Sequence, residues 1–224
     1  MKVLIACEES QATCIEFRKL GHEAYSCDIL DQSGGHPEWH IKGDAIKEAY
    51  SGKYDLMVAH PPCTYLAVSG ARWLYNKDGS KNKERWHNQE QALNFVRKLL
   101  NAPIKHIALE NPVSVISSHI RKPNQIVQPY MFGDEAQKST CLWLKNLPLL
   151  KPTKIVGKGE FVEFIGKDGK KKKQPKWYFE ALKNAKTTEE RRTLRSKTFQ
   201  GMARAFAEQW GDLSNYYKQT KLDL

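Results

Sequence analysis

Across 224 residues, 36 Lys and Arg stand against 25 Asp and Glu, a formal charge of +11 that favours a polyanionic partner and makes nucleic acid the first candidate. The length suffices for one full core, no apolar run approaches the roughly 18 residues of a membrane span, and the opening apolar stretch turns acidic at Glu8-Glu9, too soon for a secretory signal. A single domain (1–224) in the cytoplasm, with no membrane partner and an open oligomeric state, is therefore expected.

Five cysteines, Cys7, Cys14, Cys27, Cys63 and Cys141, are odd in number and form no CxxC pair, which argues against a disulfide framework and a zinc knuckle. His36 and His40 are spoiled as a helical metal pair by Pro37 between them, so no metal site is expected.

Strand and helix alternate through the first half. Lys2 to Cys7 reads as an apolar strand, and Ser10 is placed to cap a helix through Leu20 that Gly21 ends. His22 to Cys27 is a second strand stopping at Asp28, and Ser33 to Pro37 is a loop by its turn residues. A short strand over Trp39 to Lys42 leads to Gly43-Asp44, a helix over Ala45 to Tyr50 and a buried strand over Tyr54 to Ala59. The polar segment Val68 to Lys83 is long enough to be a functional lid. A helix follows from Glu84 to Leu100, then a strand at His106 to Leu109.

Gln125 to Phe132 and Thr140 to Leu144 read as late antiparallel strands around a Gly133-Asp134 turn. Gly159 to Ile165 alternates like a half-exposed strand, and Asp168-Gly169 turns it into Lys170 to Lys173, a small basic hairpin. Short helices are expected over Trp177 to Ala185 and Thr188 to Arg195. Met202, Phe206 and Trp210 then recur every four residues as the core stripe of a last helix. Residues 151–195 form a small basic insertion. No internal repeat is visible.

Two apolar runs end in polar groups: one in His60-Pro61-Pro62-Cys63, the other in Glu110-Asn111-Pro112. Parallel strands that end this way build a site, because open α/β sheets hold ligands outside their carboxyl ends. A cysteine attacks an electron-poor carbon as thiolate, and Pro61-Pro62 stiffens the turn that aims Cys63. If the target is a pyrimidine ring, attack at carbon 6 needs a proton donor at ring nitrogen 3, a role that suits Glu110. Carbon 5 then becomes nucleophilic.

These residues resemble the carbon-5 cytosine DNA methyltransferase family. Pro61-Pro62-Cys63 matches its nucleophile turn and Glu110-Asn111-Pro112 its glutamate-asparagine signature. Asp28 is similar to the acid that binds the ribose of S-adenosylmethionine, Gly43-Asp44 to the acid near the adenine, and Gln137-Lys138 to a reduced form of a glutamine-arginine element. Thr198 to Ala203 sits where the closing helix is expected.

The resemblance implies an α/β, Rossmann-like methyltransferase fold with a mostly parallel seven-stranded sheet and a late antiparallel hairpin. It also implies S-adenosylmethionine as cofactor, held by Cys7, Glu8, Asp28, Ile29, Asp44 and Pro61, and catalysis by Cys63, Glu110 and Asn111. The substrate would be DNA, duplex or single-stranded, with a flipped cytosine. It would be met by Arg72 and Trp73 on the lid, by Gln137 and Lys138, and by Lys170, Lys171, Lys172 and Lys173 on the hairpin. A phage-encoded protein in a bacterial host would suit the compact size.

The chain departs from that family at four places, one being the closing segment, where Gly201-Met202-Ala203 lacks the asparagine usual there. The first loop reads Ala6-Cys7-Glu8-Glu9-Ser10-Gln11 without glycine, Lys138-Ser139-Thr140 replaces the arginines after Gln137, and Lys151 to Arg195 replaces a large target-recognition domain. A free nucleotide or RNA substrate, or a methyltransferase-like protein that binds nucleic acid without turnover, therefore stays open. Amino-group methylation fits the double proline but wants an aromatic residue where Cys63 stands.

Each residue also has a plainer reading: Cys63 as a buried structural thiol, Glu110 as a capping carboxylate, Asp28 and Asp44 as turn residues. Asn111 and His60 would fix their turns, and the lysine run would be a solvated hairpin tip. The last is directly testable. If the hairpin touches phosphate, replacing Lys170, Lys171, Lys172 and Lys173 by alanine weakens binding at all sequences and flattens its dependence on salt. A filter-binding series across salt concentrations measures this, and an unchanged slope refutes the contact.

Overall fold

In the computed structural model, which describes residues 1–166, 168–187, 190, 194 and 198–213, five short strands run parallel. They are β1 (Lys2–Ala6), β2 (Glu23–Asp28), β3 (His40–Lys42), β4 (Leu56–Ala59) and β5 (His106–Pro112). β6 (Gln125–Val127) and β7 (Thr140–Lys145) complete a seven-stranded sheet of order β3-β2-β1-β4-β5-β7-β6, in which β7 is antiparallel to both neighbours. This is the mostly parallel α/β sheet with a late antiparallel pair that the sequence led us to expect. Its order reverses between β1 and β4, and such a switch point opens a crevice at the strand ends.

Because successive side chains on a strand point to opposite faces, the apolar runs feed two cores. Leu4, Ala6, Met57, Ala59, Ile107 and Leu109 lie in one core, with Ala45 and Ala49 of α2 (Ala45–Ala49), Leu93, Val96 and Leu99 of α3 (Lys83–Leu100), and Ile116 of α4 (Ile116–His119). Val3, Ile5, Leu56, Val58 and Ala108 face the other, with Phe17 of α1 (Ala12–Lys19). A second hairpin, β8 (Phe161–Ile165) with β9 (Lys171–Pro175), forms a separate two-stranded sheet and runs into α5 (Lys176–Asn184). The expected stripe Met202, Phe206 and Trp210 is buried on α6 (Gln200–Trp210), against α1 and the second core.

Four local expectations are corrected. Ser10 does not cap α1: the cap position is Gln11, with no side-chain bond, and Glu8 reaches in from the preceding loop to accept from Thr13 N and Cys14 N at 2.7 and 3.2 Å. β5 extends three residues past Leu109, because β7 continues to pair with it through Glu110, Asn111 and Pro112. β6 stops at Val127, where Pro129 opens a 3-10 turn, so the link to β7 is longer than a hairpin turn at Gly133-Asp134. The segment after Cys63 holds a 3-10 helix, Val68–Leu74, and a turn closed by Asn76 N to Ser80 O at 2.8 Å. The helix expected over Thr188 to Arg195 falls mostly outside the described residues.

The β6–β7 link has its own task. Asp134 Oδ2 accepts from Gly201 N at 2.9 Å, capping α6 from a distance, and a side chain at 201 would run into the carbonyl oxygen of Phe132. Glycine is thus required for closeness, at the joint that docks α6 on the sheet. Gly201→Ala should lose about 1–3 kcal/mol, the usual scale of overpacking, in urea unfolding. Wild-type stability would show that the joint yields freely.

Candidate active site

The parallel pairing of β4 with β5 matches Ala59 with Leu109, so the next residues, His60 and Glu110, leave the sheet side by side on the α1–α6 face. The following pair, Pro61 and Asn111, leaves on the opposite face and is joined directly: Asn111 Nδ2 donates to Pro61 O at 2.8 Å, buried. The turn then tightens at Cys63, whose carbonyl accepts from Leu66 N at 3.0 Å and Ala67 N at 2.9 Å. Val68 N to Val113 O and Val115 N to Leu66 O, at 3.1 and 2.9 Å, strap the segment to the chain beyond β5. From α3, Arg85 Nη2 and Gln89 Nε2 donate to the carbonyls of Thr64 and Tyr65 at 2.8 and 2.9 Å. Cys63 therefore sits half-buried on a turn held from two sides.

The other four cysteines are held neutral by burial. Burial pushes the Cys7 thiol far up and those of Cys14 and Cys27 up to about 12, and it raises Cys141, so these four are inert neutral thiols at ordinary pH.

His60 and Glu110 form a buried pair, Nδ1 to Oε2 at 3.2 Å. Burial alone would raise the Glu110 carboxyl, but the hydrogen bond from His60 and the charges of Lys138 and His60 outweigh it and hold the group below its ordinary range. Burial likewise opposes a charged His60, yet the bond and charge of Glu110 and the charge of Glu8 hold the imidazole above its ordinary value against Lys138. Each group thus favours the charged form of the other. On the far side of the ring, Nε2 lies 3.4 Å from Thr13 Oγ1, and Thr13 N is bonded to the fully buried Glu8.

Across the switch point lie the ends of β1, β2 and β3. Cys7 turns the chain with φ 61°, its N–H bonded to Cys27 O at 2.7 Å. After burial, the charges of Asp28 and Asp44 also raise its thiol, so both carboxyls lie within electrostatic reach of it. Asp28 Oδ1 accepts from Leu30 N at 2.9 Å, which leaves the Ile29 side chain projecting, 75% exposed. Asp44 caps α2, accepting from Ile46 N at 2.8 Å.

Among the residues singled out in the sequence, the strand ends thus gather Cys63, Glu110, Asn111 and Pro61 on one side and Cys7, Glu8, Asp28, Ile29 and Asp44 on the other. Lys138 is near enough for its charge to act on Glu110 and His60, and the Gln137 carbonyl accepts from Trp177 Nε1 at 3.2 Å. Arg72 stacks on Trp73, 4.6 Å from the ring centre, on the exposed 3-10 helix after Cys63. The lysine run sits on the separate hairpin, where Lys172 pairs with Asp168 at 3.1 Å and Lys173 lies over Phe161. No group of three or more His, Cys, Asp or Glu that could hold a metal occurs among the described residues, and no helix among them is long and apolar enough to cross a membrane.

Sequence reasoning left His60 as a turn residue. The signal that marks it is positional: each run ends in one polar residue after its last apolar one, so pairing the runs end to end aligns His60 with Glu110.

No protein-family profile and no curated protein matches the sequence. Among solved structures, the chain is similar to a candidate DNA modification methyltransferase encoded within an E. coli prophage, at 13% identity and a TM-score of 0.46. The match covers 70% of this chain and 52% of that one, so the chain spans about half the length of that protein.

The Asn111 amide bridges the two turns, so its loss exposes the physical link. Asn111→Ala should cost about 1–3 kcal/mol, because the Pro61 carbonyl is left buried without its donor. Urea unfolding measures it, and a neutral substitution would mean that the strap from Val113 to Val115 alone holds the turn.

Proposed function

We propose that the protein is an S-adenosylmethionine-dependent methyltransferase that acts on carbon 5 of cytosine in DNA through a covalent Cys63 adduct. The observation that carries this reading is the juxtaposition, at the ends of adjacent parallel strands, of the Cys63 turn and the Glu110 carboxyl, tied through Asn111 and Pro61. Cys63 as thiolate would add to carbon 6 of the ring while Glu110 delivers a proton to nitrogen 3. The pair of electrons displaced by the thiolate then resides on the ring and makes carbon 5 nucleophilic. Asn111 would orient the turn through its Nδ2, which donates to Pro61 O, rather than react. Arg72 and Trp73 are the lid groups that would fill the gap left by a flipped base, and the basic hairpin supplies phosphate contacts.

The cofactor fits the far side of the crevice. Asp28 at the end of β2 would bind the ribose hydroxyls, the exposed Ile29 would offer an apolar face to the adenine, and Cys7 and Asp44, within electrostatic reach of each other, would complete that side. S-adenosylmethionine bound there would supply an electrophilic methyl group. One feature sets this chain apart: Glu8 occupies the α1 amides of Thr13 and Cys14, the helix-terminal donors that often receive a ligand's anionic group. A cofactor carboxylate would need other donors. That same feature favours, as a second reading, a protein that binds nucleic acid without turnover.

Incubation with labelled S-adenosylmethionine and DNA carrying 5-fluorocytosine separates the two. Fluorine cannot leave carbon 5 as a proton does, so wild type should be trapped in a cofactor-dependent adduct that survives a denaturing gel and is lost in Cys63→Ala. Absence of adduct on single-stranded and duplex DNA of several sequences, with no heat on titrating the cofactor, would leave binding alone.

A further inference from the structure

Resting on the methyl-transfer reading, we infer that His60 is a positioning residue that holds the reaction's proton and relays it through Glu110 to the cytosine ring. The need for such a residue follows from the site. Nitrogen 3 must be protonated as Cys63 adds to carbon 6, but Glu110 is ionised in the free protein and has no proton of its own to give. The nearest proton is on His60, whose Nδ1 lies 3.2 Å from Glu110 Oε2.

The surroundings of the ring suit a group that stays charged while buried. Glu110 faces it from β5, Glu8 from the loop after β1, Thr13 from α1 and Phe206 from α6, the ring centres of His60 and Phe206 being 6.4 Å apart. Lys138 opposes the charge from the segment before β7, against the bond and charge of Glu110 first and then Glu8, whose own carboxyl burial pushes up. Glu8 is itself fixed by two backbone donors, so the ring is held between anchored partners.

The proton inventory closes. As the Cys63 sulfur forms its bond to carbon 6, nitrogen 3 takes a proton from Glu110, and Glu110 takes one from His60 Nδ1, leaving neutral imidazole. Once carbon 5 has formed a bond to the methyl group that the cofactor would supply, it loses its own hydrogen to water, the carbon–sulfur bond breaks to regenerate thiolate, and the nitrogen-3 proton returns through Glu110 to His60. The same cycle runs without cofactor if water supplies the new hydrogen at carbon 5, which exchanges that hydrogen with solvent.

The test is therefore release of tritium from DNA labelled at carbon 5 of cytosine, without cofactor, from about pH 5 to pH 9, for wild type and His60→Asn. Asparagine places its amide nitrogen where Nδ1 stands, keeping the bond to Glu110 but removing the titration. Wild-type exchange should fall as pH rises through the imidazole's elevated pKa. His60→Asn should lose about a hundredfold at pH 8 and recover most of it near pH 5, where Glu110 takes its proton from solvent, since proton transfer of this kind contributes 10²–10⁴-fold. Parallel profiles, or a uniform loss across pH, would assign His60 a structural role only. Should the variant fail to fold, the wild-type alkaline limb decides, and exchange flat to pH 9 overturns the relay. Wild type that neither exchanges nor forms the fluorocytosine adduct overturns the methyl-transfer reading itself, and this inference with it.

Discussion

The parallel register of β4 against β5 is the constraint on which the site depends. A one-residue slip would send every following side chain to the other face of the sheet. With Ala59 opposite Leu109, His60 and Glu110 meet on the α1–α6 side and Pro61 and Asn111 on the α3 side. The register is over-determined, since Met57, Ala59, Ile107 and Leu109 fill one core while Val58 and Ala108 fill the other. Packing far from the crevice thus fixes which polar groups face each other within it, and β7 extends the effect by carrying β5 on through Pro112.

The cost of that arrangement falls on buried charge. Ionisable groups away from water, here Glu8, His60 and Glu110, are tolerated only if each is paired and bonded, and removing one partner is worse than never having had the set; even with its two backbone donors, burial holds the Glu8 carboxyl above its ordinary range. Here every member has a fixed neighbour: Glu8 the α1 amides, His60 both Glu110 and Thr13, Glu110 the imidazolium and the field of Lys138. The opposed shifts of His60 and Glu110 express one fact, that each stabilises the charged form of the other.

Most of the fold was legible because it rests on periodicity. The five parallel strands, the Met202, Phe206 and Trp210 stripe and the basic hairpin all follow from apolar spacing and turn residues. What was not legible depends on partners remote in sequence. Ser10 is a sound local cap, but the α1 amides are taken by Glu8, whose reach is set by the left-handed turn at Cys7. β5 runs past Leu109 only because β7, some thirty residues later, pairs with it. At the site, Cys63, Glu110 and Asn111 stood out by type and position, whereas His60 gains meaning only once two strands are laid side by side.

The glycine-free first loop shows how a chain can keep a backbone shape without the residue that normally allows it. Cys7 and Gln11 both take left-handed conformations, at φ 61° and 58°, where a side chain costs about 1–2 kcal/mol. Cys7 is held by its backbone and Gln11 by its side chain. Cys7 is pinned by its N–H to Cys27 O, and the buried Gln11 side chain both donates to His36 O and accepts from His36 N, at 2.8 and 3.0 Å. Gln11 thereby ties the loop after β2 to the start of α1. Strain retained at the rim of a crevice and offset by specific bonds is characteristic of positions where backbone shape serves a ligand. At Gln11, side-chain bonds offset the left-handed backbone that a glycine would adopt without cost.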